Sequence, residues 1–151
     1  MARRPRLSSF FRLSWRLRLL TIEAGWELAR ARLDTLRAAA HYARGLGVLS
    51  DQTAPSPAAQ EEERRAAEIG AIVARVAAAM PFRALCLQQA LATRRMLRRR
   101  GLPATVFLGL AHDPAERRAT DEPAHAWVQT GQRVVNGDQD LERYAVVGVF
   151  S

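Results

Sequence analysis

Cysteine is all but missing: of 151 residues only Cys86 carries a thiol. No intrachain disulfide can form, and no thiol cluster exists to hold zinc or an iron–sulfur centre. A reducing, cytoplasmic compartment is the expected location. Lysine is absent altogether, so the 23 basic residues are all arginine, and since either cation serves on a solvated surface no function is read from the replacement. Long apolar runs are lacking too. Arg12, Arg16 and Arg18 break up the acid-free stretch from Met1 to Leu20, which excludes a secretory signal or a membrane span there. The three histidines have no second His or carboxylate at convincing ligand spacing, so no metal site is expected.

What is present is an ordinary globular composition, 48% hydrophobic and 25% charged, in a length that suits one domain or a small domain with an appendage. Charge is unevenly placed. Residues 1–50 hold ten Arg against Glu23, Glu27 and Asp34, whereas residues 51–151 nearly balance, with 13 Arg against 12 acids, in a total of +8. No helix-turn-helix, zinc-finger or RNP pattern accompanies the arginines, so nucleic acid is not expected as a partner.

Trp15, Leu19, Ile22, Trp26, Ala29, Leu33, Leu36 and Ala40 recur at alternating steps of four and three, one apolar stripe along a long helix. Packing against the rest of the domain is the expected use of that stripe. Docking to a partner protein or to an anionic membrane are the others. The pattern stops at Gly45 and Gly47, and Asp51 to Gln60 reads as a polar, proline-containing linker. The expected organisation is an amphipathic, Arg-rich helical region over 1–50, a linker over 51–60 and a core over 61–151.

A helix starts near Glu61, with three glutamates in its first turn where the dipole favours them, and Pro81 ends it. Leu85 to Arg100 is a second helix stopped by Gly101 and Pro103. Thr105 to Leu110 reads as a strand, His112 to Pro123 as a polar loop, and Ala124 to Gln129 with Gln132 to Val135 as a hairpin about Thr130-Gly131. Ala145 to Phe150 supplies one more strand. The fold class is α+β.

Cys86 stands in the first turn of its helix, where unpaired N–H groups and the dipole favour thiolate. On a separate strand, alternation puts His125 and Trp127 on one face and the small Ala124 and Ala126 on the other, so another element can approach closely. Beyond the hairpin, Asn136, Asp138 and Asp140 offer groups to hold the second ring nitrogen. Plainer uses exist for each: an inert core cysteine, a hydrogen-bonded strand histidine, ordinary turn residues. His41 and His112 read as surface residues.

The segments LCLQQALA at 85–92, LRRRGLPA at 97–104, AHAWV at 124–128 and VVNGD at 134–138 resemble, in order, the leader peptidases of lasso-peptide biosynthesis. These are transglutaminase-like cysteine proteases that mature ribosomally made peptides. The resemblance covers about residues 82–145. It implies a transglutaminase-like, papain-like core, the Cys helix packed on a small antiparallel sheet, with Cys86 as nucleophile, His125 as base and Asp138 as the orienting acid. Gly137 interrupts the Asn-Asp pairing of many relatives, so Asp140 and Asn136 stay open, and Gln88 and the Cys86 N–H are candidates for an oxyanion site. No strand signal precedes Val106, which implies the split form without a fused leader-recognition domain. The expected partners are then the leader of the lasso precursor, a separate leader-recognition protein and the ATP-dependent lasso cyclase, with no cofactor for this chain and no membrane contact. A transglutaminase-like acyltransferase and a non-catalytic helical interaction module are the alternatives.

Overall fold

The computed structural model describes residues 14–37, 46–50, 54–119 and 123–151. Ala40, His41 and Gly45, with residues 1–13 and 51–53, lie outside the described residues. Helix α1 spans Trp15–Leu36, opened by Ser14, whose hydroxyl accepts the Leu17 N–H at 3.4 Å. Its inward face is not the stripe expected to pack. Leu20, Ala24, Glu27, Leu28 and Ala31 are buried, while Trp15, Trp26 and Leu36 stay 75%, 67% and 71% exposed. The reason is on the facing helix. Small Ala24 and Ala31 allow close approach, and Glu23, Glu27 and Asp34 meet arginines that would otherwise be stranded.

Helix α2, Gln60–Ala79, starts one residue before its three glutamates and buries Ala66, Ile69, Ile72, Val73 and Ala77. Helix α3, Cys86–Arg98, is shorter at both ends than expected. At its start the Leu85 N–H donates to Gln88 Oε1 at 3.1 Å, and at its end Gly101 (φ 65°) lets the Leu102 N–H return to the Leu97 carbonyl.

Strands β1 (Thr105–Ala111), β2 (Ala124–Thr130), β3 (Arg133–Asn136) and β4 (Tyr144–Phe150) form an antiparallel sheet in the order β3-β2-β1-β4. The segment between β1 and β2 is not a simple polar loop. Pro114–Ala119 form a short helix, α4, with the Ala115 N–H held by Asp113 Oδ1 at 2.8 Å. The hairpin turn falls at Gly131-Gln132, one residue later than expected, because Gly131 supplies the positive φ of 57°.

Alternation along the strands divides the sheet's two faces. Val106, Ala126, Val128 and Val135 join the buried residues of α1, α2 and α3 in one core, and Phe107, Trp127, Tyr144 and Val149 build a smaller aromatic cluster. The stretch before α2 is tied down rather than loose: Ser56 N–H donates to Thr105 Oγ1 at 3.0 Å and Ser56 O accepts the Gly131 N–H. Glu63 adds a second tie by accepting the Gln132 N–H at 2.8 Å.

Candidate active site

Cys86 is the first residue of α3, so its own N–H has no partner within the helix and the positive end of the dipole lies at its side chain. The thiol is half-buried. Burial alone pushes it up, but a hydrogen bond with His125, the Ala126 N–H, the charge of His125 and the Leu87 N–H together bring it below the ordinary thiol value. The small Ala126, 2% exposed against the helical layer, is what lets α3 come so near the β2 backbone.

His125 arrives from β2 on the Trp127 side. Its ring stacks on Trp127 with centroids 6.1 Å apart and on Tyr144 at 5.1 Å, two flat surfaces that restrict its rotation. Nε2 lies 2.9 Å from the Gly137 carbonyl oxygen. In the tautomer with Nε2 protonated, that N–H donates to the carbonyl, and Nδ1 is left as the basic nitrogen. The carbonyl can reach because Gly137 is a glycine: φ is +80°, and an added Cβ would stand 2.7 Å from the Ala126 carbonyl oxygen.

The three residues considered for the third position are placed differently. Asp138 is exposed and accepts from Gln139 Nε2 at 3.3 Å. Asp140 pairs with Arg143 at 3.6 Å, and Asn136 is buried, its amide donating to the Gly70 carbonyl at 3.4 Å. Gln88 is 3% exposed and occupied at both ends of its amide, accepting from Leu85 N–H and donating to Thr35 Oγ1 at 3.0 Å. Its work is to brace the start of α3 against α1.

Cys86 and His125 open onto a cleft of about 150 Å³, also lined by Arg83, Gln89, Asn136, Gly137 and Gln139. Sequence reasoning passed over Gln89 and Gln139. Gln89 sits three residues after Cys86, hence on the same helix face, which was the available signal. Among the described residues no group of three His, Cys, Asp or Glu is placed to hold a metal ion, and no helix is long and apolar enough to cross a membrane.

A thiol lowered by an imidazole, at a helix N-terminus packed on an antiparallel sheet, is the arrangement that cysteine chemistry of the peptidase or acyltransferase kind requires. Residues 28–149 match the model of the transglutaminase-like superfamily, and the chain belongs to that family. Neither a curated protein nor a solved structure matches it.

Proposed function

We propose that the protein is a cysteine peptidase that removes the leader from a lasso-peptide precursor, with Cys86 as nucleophile and His125 as general base. The lowered Cys86 thiol hydrogen-bonded to His125 is the observation that carries this reading. The thiolate attacks the scissile carbonyl, and His125, holding the thiol proton, gives it to the departing amine. Water then attacks the thioester, losing a proton to His125, and the acid leaves with Cys86 regenerated. The Cys86 N–H, without a partner inside the helix, is the proposed donor to the developing oxyanion. On this reading the Gly137 carbonyl orients the ring, and Asp138, exposed and accepting from Gln139, keeps the place of orienting acid through the resemblance alone. The lasso assignment itself rests on the motifs at 85–92, 97–104, 124–128 and 134–138. It carries with it a cytoplasmic setting, a separate leader-recognition protein and the lasso cyclase as partners.

The test is incubation of a lasso precursor with the protein, with and without the recognition protein, followed by mass spectrometry. Leader release is expected, lost by a factor of about a thousand or more in Cys86→Ala and His125→Ala and reduced less in Asp138→Asn. Transfer of the acyl group to an added amine in place of hydrolysis points to an acyltransferase. Cleavage surviving both alanine substitutions overturns the mechanism.

A further inference from the structure

The exposed stripe of α1 has the geometry of a coiled-coil seam. From Trp15 to Leu36 its members alternate in steps of four and three, the a and d positions of three heptads along a helix about 33 Å long. Five of the seven flanking e and g positions are arginine: Arg16, Arg18, Arg30 and Arg32 on the helix and Arg37 at its C-cap. Arg16 also pairs with Glu68 at 3.2 Å across its exposed edge, and Arg32 lies over the Phe82 ring. The one flanking acid, Glu23, is already held by Arg99 and Arg100, and Glu27 and Asp34 are likewise engaged by α3. At the N-terminal end the seam runs into a recess of about 250 Å³ between Trp15, Leu19, Arg65 and Arg100.

We infer that this face docks a partner helix with apolar a and d residues and acidic e and g residues, its first anchor seated in the recess at Trp15. A second copy of the chain fits poorly, since either pairing direction sets arginine against arginine. The stretches adjoining α1, residues 1–13 and 38–45, contain arginine and no acid, so they lack the matching charge as well. A lipid surface suits the face less well. Membrane-lying helices sink a broad apolar face, whereas the opposite side of α1, at Ala24, Leu28 and Ala31, is committed to the protein core and only a narrow seam remains. Nothing in this inference depends on the chemistry at Cys86.

The full-length chain is titrated against two labelled peptides of α1's length, both with Leu at a and d, one with Glu and the other with Lys at e and g. The Glu peptide is expected to bind about tenfold or more tightly than the Lys peptide, with the difference shrinking at high salt. Trp26→Ser together with Leu33→Ser removes binding while thermal melting stays as in wild type, since both side chains are exposed. Arg30→Glu with Arg37→Glu shifts the preference towards the Lys peptide. Equal affinity for the two peptides, no binding, or indifference to the serine pair overturns the inference. So does dimerisation of the free chain through Trp26, or Trp26-dependent binding to phosphatidylglycerol vesicles without binding of the Glu peptide.

Discussion

Gly70→Ala separates a packing requirement from ordinary helix preference. Gly70 lies inside α2, where alanine by itself improves a helix by about 1 kcal/mol. Here the methyl would overlap the Val135 carbonyl oxygen and stand 2.6 Å from its carbon, inside the roughly 3.0 Å limit of real Cβ contacts. The obstacle is backbone, so no rotamer change relieves it. Helix and strand must part by roughly an ångström, and overpacking of that kind costs about 3 kcal/mol before the propensity gain is subtracted. A net loss of about 2 kcal/mol lowers Tm by roughly 4–8 °C in a chain of this size. The same shift moves β3, whose continuation carries the Gly137 carbonyl that holds His125, so under the proposed peptidase function the cleavage rate falls about tenfold or more even where the protein remains folded. Gly25→Ala is the control: among the described residues its Cβ finds only Val76 Cγ1 at 3.8 Å, and Tm is expected to rise. Calorimetry and a cleavage assay decide the matter. A Gly70→Ala protein at least as stable as wild type would refute the close contact between α2 and β3.

Because the Cys86 thiol lies below its ordinary value, more thiolate is present at pH 7 than in a free cysteine, and iodoacetamide alkylation is expected to run correspondingly faster. His125→Ala removes the imidazole's hydrogen bond and charge but leaves the burial, so the midpoint of the alkylation profile moves to higher pH. An unmoved midpoint counts against the pairing. Glu27→Ala deletes a carboxylate with no exposed surface, 2.8 Å from Arg99 and 3.6 Å from Arg95. Those arginines keep Glu23 at 3.0 Å and Asp34 at 2.6 Å, so urea denaturation should show a loss of about 2–3 kcal/mol rather than the larger cost of stranding a buried charge.

Local signals account for what could be read in advance. Gly101 and Pro103 announced the end of the Cys86 helix, the glutamates at 61–63 its predecessor's start, and alternation in AHAWV placed His125 with Trp127. The inward face of α1 was illegible because periodicity reveals that two faces differ without saying which one meets a partner. The acids that decide it answer to Arg95, Arg99 and Arg100, more than sixty residues away. The short helix at 114–119 carries no apolar periodicity to betray it. The acceptor for the His125 ring is a backbone carbonyl, which has no letter in a sequence. Only the glycine that frees it leaves a mark.

Cys86 belongs to the helical layer and His125 to the sheet, and the two side chains meet across the joint between them. Thiol reactivity at Cys86 is thus a gauge of how well the two slabs are seated. In mild urea a slight shear along that plane would part the pair and slow alkylation of the thiol while the ellipticity still looked native.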